Sequence, residues 1–294
     1  MNFFWQLSGE EDAPRRSEVP IRLEWLEHMR PSALDSGSHF SYAVSEREGG
    51  AVYRWGTDNG KVYRQPERLT LPIRNIRAVA VACGNKHTLL LLEGGHVLSC
   101  GVGYFGQLGT GDDISSDRPR VVQSLAPQQL SGDRVVFVAA GGQHSGAITR
   151  TGEVYMWGFN RSRQCGVYVD KASNQGNTVS EPRALAGRSE LITPSGRPVQ
   201  LVCGRHHSSL LTETGAVFSW GATSFGRLGI HDLSSKVVSS PQRVKTLDNF
   251  AVHAIASGDF HMLALTRDRR VFSWGYGAEG QCGHGNALHL RTPR

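Results

Sequence analysis

The chain has 294 residues, 39% hydrophobic and 20% charged. That composition excludes a disordered polymer and is enough to bury a sizeable core. The formal net charge of +6 permits an acidic protein, nucleic acid or anionic lipid as partner without demanding one. No block of five or six like charges occurs, and no apolar run approaches the length of a membrane span, so none is expected.

Residues 1–34 read as a separate N-terminal segment, a degenerate part of a first repeat. "NFFWQLSGE" carries Trp5 fifty residues before Trp55. The opening "MNFFWQLSGEEDAPRR" is acidic before it is basic and has no signal-peptide core, so an intracellular protein, cytoplasmic or nuclear, is expected. "RLEWLEHMR", residues 22–30, is the one stretch with helical character.

From residue 35 to 294 the chain repeats itself. "GNKHTLLLLEGGHVLSCG" begins at Gly84, "GGQHSGAITRTGEVYMWG" at Gly141, "GRHHSSLLTETGAVFSWG" at Gly204 and "GDFHMLALTRDRRVFSWG" at Gly258. In each, a histidine (His87, His144, His207, His261) lies thirteen residues before Trp157, Trp220, Trp274 or, in the Gly84 copy, Cys100. A looser copy comes first, "SGSHFSYAVSEREGGAVYRWG", with His39 and Trp55 as its marks. A second phrase follows most copies: "GQLG" at 106–109, "RQCG" at 163–166, "GRLG" at 226–229 and "GQCG" at 280–283. A proline phrase comes third, "DRPRVV", "SEPRAL" and "SSPQRV", and "LRTPR" opens another.

Each unit reads as β. The histidine segment alternates or runs apolar, turns at Gly, and alternates again, which is a hairpin. The proline phrase and the "VFVAAGG"-type phrase before each glycine add two strands. Four strands at a repeat of roughly 40–60 residues is the pattern of a propeller blade. The expected fold is therefore all-β, a β-propeller of four-stranded blades with about five repeats present and an incomplete ring.

The histidines do not read as metal ligands. One per blade at one register separates them around a ring, whereas zinc needs about four ligands at roughly 2 Å. They are expected to hydrogen-bond within their own blades. The five cysteines stand where small or apolar residues stand in sister copies, so buried free thiols are expected, in keeping with a reducing compartment. Gly101, Gly103 and Gly106 match a dinucleotide fingerprint in spacing, but no helix or βαβ unit follows to receive a pyrophosphate. No catalytic set emerges, and no cofactor is expected.

What fails to repeat points to binding. Between each glycine and histidine lie two free residues: Asn85-Lys86, Gly142-Gln143, Arg205-His206 and Asp259-Phe260. They are expected at loop tips on one face, where propellers bind. Lys86, Gln143, Arg205, His206, Asp259 and Phe260 are the candidate binding residues. The polar insertion at 167–198 is a second candidate partner-binding loop.

The phrases resemble those of the regulator of chromosome condensation repeat family, over nearly the whole chain from about residue 35. The resemblance implies a β-propeller and three roles. One is nucleotide exchange on a Ran-like small GTPase, with nucleosome binding. The acidic N-terminus here departs from the basic tail of chromatin-binding members. A second is a protein-interaction platform, as in propellers of larger ubiquitin ligases and trafficking proteins. The third is light sensing, but the light-sensing branch places tryptophans in the pair before the histidine and this chain has none there. The expected function is a non-catalytic interaction platform for a protein partner, with small-GTPase regulation as the specific alternative.

Overall fold

The computed structural model describes residues 23–168, 177–185, 195–231 and 234–294. Among the described residues a short helix, α1 (Glu24–Met29), precedes nineteen strands in five antiparallel sheets. The first sheet is β1 (Pro31–Ser36), β2 (Phe40–Ser45), β3 (Ala51–Asp58) and β4 (Lys61–Arg68). The second is β5 (Ala78–Cys83), β6 (His87–Leu92), β7 (Val97–Gly101) and β8 (Ser116–Val121). The third is β9 (Val135–Ala140), β10 (His144–Thr149), β11 (Val154–Phe159) and β12 (Thr178–Ala184). The fourth is β13 (Pro198–Cys203), β14 (His207–Thr212), β15 (Val217–Ala222) and β16 (Val237–Arg243). The fifth holds β17 (Val252–Ser257), β18 (His261–Thr266) and β19 (Val271–Gly275), with a single bridge from Gly275 to Leu290 in the fourth-strand place.

Each sheet is a meander, and the five make an arc of propeller blades that does not close. The innermost strands β1, β5, β9, β13 and β17 line one central cavity of about 600 Å³. Sheets stack because β2, β6, β10 and β14 are buried on both faces. Leu89, Ile148, Trp157, Leu210 and Trp220 fill the inter-sheet space with almost no exposure. The first sheet begins at Pro31, so the expected boundary after residue 34 falls inside β1. The helical character expected in residues 22–30 appears as α1 over Glu24–Met29, and its Trp25 packs edge-on against Trp55 at 4.9 Å.

His87, His144 and His207 link blades rather than bonding within one, which corrects the sequence expectation for these three. His87 Nε2 lies 2.8 Å from Ser145 Oγ of the next blade, and His144 Nε2 lies 2.9 Å from Ser208 Oγ. Ser145 donates to the Gln107 carbonyl and Ser208 to that of Gln164. Trp157 and Trp220 donate their indole N–H to the same two carbonyls, each at 2.9 Å. The "GQLG" phrase of one blade thus clasps the tryptophan of the next. His207 reaches Ser257 Oγ at 3.2 Å, and Trp274 donates to the Arg227 carbonyl. The physical reason is that only a neighbouring sheet presents acceptors at a histidine facing sideways out of its own sheet.

The first blade departs from this grammar. Phe40, not His39, sits opposite Gly56 as His87, His144, His207 and His261 sit opposite their glycines. His39 is exposed. β3 and β4 join through Asn59-Gly60, both at positive φ, in place of the glycine phrase. Where Cys100 replaces tryptophan, the Tyr42 hydroxyl lies 3.5 Å from its Sγ and donates to Asp58.

Candidate functional site: the loop rim around the central cavity

The loop that follows each innermost strand carries the two non-repeating residues. Backbone bonds tie these loops together around the cavity mouth. Ser38 N donates to Asn85 O, Asn85 N to Gly141 O, Gly142 N to Gly204 O and Arg205 N to Asp259 O. The second residue of each pair is pinned by its own blade, since Val102, Phe159, Ala222 and Tyr276 donate to the carbonyls of Lys86, Gln143, His206 and Phe260. The rim is a rigid backbone frame whose side chains are free to vary. Lys86, Arg205 and Asp259 are exposed, and Gln143, His206 and Phe260 are half-buried.

Four of the six candidate residues meet where the fourth and fifth blades join. Arg205 pairs with Asp259 at 3.8 Å. The Arg205 guanidinium lies 5.6 Å from the Phe260 ring centre. Lys86 and Gln143 stand on the same rim, on the second and third blades. Of the insertion at 167–198, residues 169–176 and 186–194 lie outside the described residues, and β12 falls between them.

The loops carrying the glycine phrase rise on the same side, because β7, β11, β15 and β19 end beside the starts of the histidine strands. They bring residues that the sequence reading missed. Phe105 and Phe159 are 4.9 Å apart, and Phe159 is 6.2 Å from the His206 ring. Phe225 contacts Phe260, Tyr276 and His289, and Tyr276 stacks on His289 at 4.9 Å. Beneath them lies Arg227, with only 3% of its surface exposed. Its guanidinium carbon is 4.8 Å from the Phe260 ring centre and 5.5 Å from that of Phe225. Burial pushes its pKa down to about 10, against a smaller upward pull from Asp259. Burial and the Arg227 and Arg205 charges push the His206 imidazole down as well. A signal for Arg227 was present in the sequence: "GRLG" places arginine where "GQLG", "RQCG" and "GQCG" place glutamine.

Imidazole, guanidinium and aromatic rings converge here, side chains that can hold a partner by charge and by stacking.

Comparison with known proteins agrees with the fold. An RCC1-like domain family model matches residues 6–294. The chain is 31% identical to the ultraviolet-B receptor UVR8 of Arabidopsis thaliana, over 97% of this chain and 62% of that protein. It is 32% identical to the human E3 ubiquitin-protein ligase HERC2, over 98% of this chain and 7% of that much longer protein. It therefore spans less than two thirds of these relatives' length. Among solved structures, Prp20p of Saccharomyces cerevisiae superposes with a TM-score of 0.73 at 25% identity, covering 88% of this chain and 61% of that one. Human WBSCR16 superposes with a TM-score of 0.74 at 26% identity, covering 89% and 65%. Sheet topology, repeat phrases and these likenesses together make the chain a member of the RCC1-like domain family of β-propellers.

Proposed function

We propose that the chain is a non-catalytic platform that binds a protein partner through the loop rim. The observation that carries this reading is the separation of roles within one repeat. The histidines, tryptophans and glycine phrases lock blade to blade, while the positions between glycine and histidine differ in every copy and gather at one cavity mouth. Aromatic residues and arginine, which concentrate there, are the side chains that dominate protein interfaces. Five buried thiols without a disulfide support an intracellular setting.

The test is partner capture by the whole chain and by the triple variant Arg205→Ala, His206→Ala, Phe260→Ala. The triple variant melts within a few degrees of the wild type and loses its partners. A collapse in melting temperature, or undiminished capture, would sink the reading.

Regulation of a small GTPase is a second reading. Its support is the likeness to Prp20p, whose structure was reported with its binding to Gsp1p and histones. A nucleotide-release assay across a panel of small GTPases tests it, and an unchanged release rate for every member removes it. Nucleosome binding, if carried by phosphate contacts, weakens steeply as salt rises; no binding at low salt removes that branch.

A further inference from the structure

The blade phrase with glutamine is a closed hydrogen-bonded turn. Gln107 Oε1 accepts from Phe105 N, Gln164 Oε1 from Ser162 N and Gln281 Oε1 from Glu279 N, each at 2.9 Å. Arginine has no acceptor atom, so Arg227 cannot make that bond. Its Nε donates to the Ser224 carbonyl instead. Phe225, in the place of Phe105 and Ser162, takes φ +62 in the left-handed region, which a side chain with Cβ enters at a cost. The replacement also leaves Arg227 Nη1 buried with no hydrogen-bond partner. A buried guanidinium nitrogen left without an acceptor is costly to a fold.

In return the guanidinium gains the Ser224 bond and its contacts with the Phe225 and Phe260 rings, none of which gives Nη1 an acceptor. The Trp274 clasp uses the backbone carbonyl, which glutamine would supply equally. A local rule broken with a buried donor left over marks a functional position. The surroundings say what the missing partner is. Asp259 acts on the Arg227 charge but is paired with Arg205, so the buried Arg227 guanidinium has no carboxylate within ion-pair distance among the described residues. One uncompensated positive charge suits a singly charged anion better than a dianion. A planar guanidinium matches a carboxylate. Phe225 also lines a cavity of about 540 Å³, together with Leu228, Ile230 and His289 and with the polar Thr223, Ser224 and Arg291. It is large enough for an aromatic side chain, and its ring walls suit one.

We propose that Arg227 anchors a carboxylate on the partner protein, presented next to an aromatic side chain that enters the cavity beside Phe225. The proposal rests on the reading of the rim as the working surface. The Phe225 and Phe260 rings lie over the guanidinium, so the carboxylate reaches Nη1 when one of these side chains turns aside. Asp259 competes for the same charge from within the chain.

The probe is a set of bead-bound heptapeptide pools, random except for a central pair: Phe-Glu, Phe-Gln, Ala-Glu or Phe-phosphoserine. The whole chain, fluorescently labelled, is retained about tenfold better by Phe-Glu than by Phe-Gln, the scale of one charge-assisted bond. Arg227→Gln restores the residue of the sister blades, keeps the melting temperature, and loses the Glu-over-Gln preference. Phe225→Ala, at a position 43% exposed, loses the Phe-over-Ala preference and keeps that for Glu. Asp259→Asn raises retention on Phe-Glu severalfold. The proposal is overturned if the wild type treats Glu and Gln alike, if Arg227→Gln retains the preference, if phosphoserine is held more tightly than Glu, or if Asp259→Asn brings no rise. Failure of the anchor alone leaves the triple variant still losing captured partners. Failure of the platform reading leaves that variant's capture intact.

Discussion

Ser145 and Ser208 each own one proton, and each gives it to a backbone carbonyl of the preceding blade's glycine phrase. The histidine facing each serine must therefore be the donor, through Nε2–H. That leaves Nδ1 unprotonated and without a partner in both, and in His87 it lies against Gly84, where a side chain would not fit. Burial accordingly pushes His87 down to about 4 and His144 to about 3, and His207 well below its usual range. The unfolded chain takes up these protons first as pH falls, near the ordinary value of 6.5. Stability is thus fully present above that value and declines below it, by up to about 1.4 kcal/mol per pH unit for each histidine, until the folded values are passed. Urea unfolding should give a flat stability profile between about pH 7 and 8 and a steep fall between pH 6.5 and 4. A flat profile down to pH 5 would mean that these imidazoles are not buried neutral.

At the level of the element, the turn and the tryptophan of the next blade form one unit. Gly109, at φ +72, lies so close to Trp157 that an added Cβ would stand 2.7 Å from its Nε1. Gly166 and Gly229 meet Trp220 and Trp274 in the same way. Gly132 offers a control, with φ +84 and nothing within 4 Å of an added Cβ. Gly132→Ala is expected to cost only the left-handed backbone term, about 1–2 kcal/mol. Gly109→Ala is expected to cost that and about 1–3 kcal/mol more, because the clasp must open. Equal losses in denaturant titrations of the two variants would show that the turn and the indole are not tightly packed.

Across the whole molecule, the blades are not equally covered. α1 caps the first sheet through Trp25 on Trp55 and the Ser45 hydroxyl bonded to the Met29 carbonyl. At the other end of the arc, β18 alternates: Met262, Ala264 and Thr266 are buried against the fourth sheet, while His261, Leu263 and Leu265 are only half-buried. The matching strands β6, β10 and β14 are buried throughout. Regions with one open face unfold locally at lower cost. Amide hydrogen exchange is expected to be faster in β18 and β19 than in β10, β11, β14 and β15. Uniform protection across the five sheets would contradict that ranking.

The sequence by itself determined the blade. A histidine-to-tryptophan spacing held in three copies and kept by His87 and Cys100 in a fourth, alternation on both sides of a glycine turn, and proline-opened segments are local patterns, and local patterns specify strands and hairpins directly. They also located the rim, because a position that varies inside a repeating frame is released from the frame's packing. Only the tertiary structure decided what each mark touches. His87 and Ser145 are 58 residues apart, and no periodicity within one unit reveals a bond to the next. The slip from His39 to Phe40 has the same origin: a looser hairpin shifts the count, and only cross-strand register restores it. Arg227 was visible as a departure from its sister phrases. Its meaning came from Phe225, Phe260 and Asp259, which converge on it from different loops and from two blades. Side chains brought together by stacking of sheets owe their proximity to packing, not to spacing along the chain.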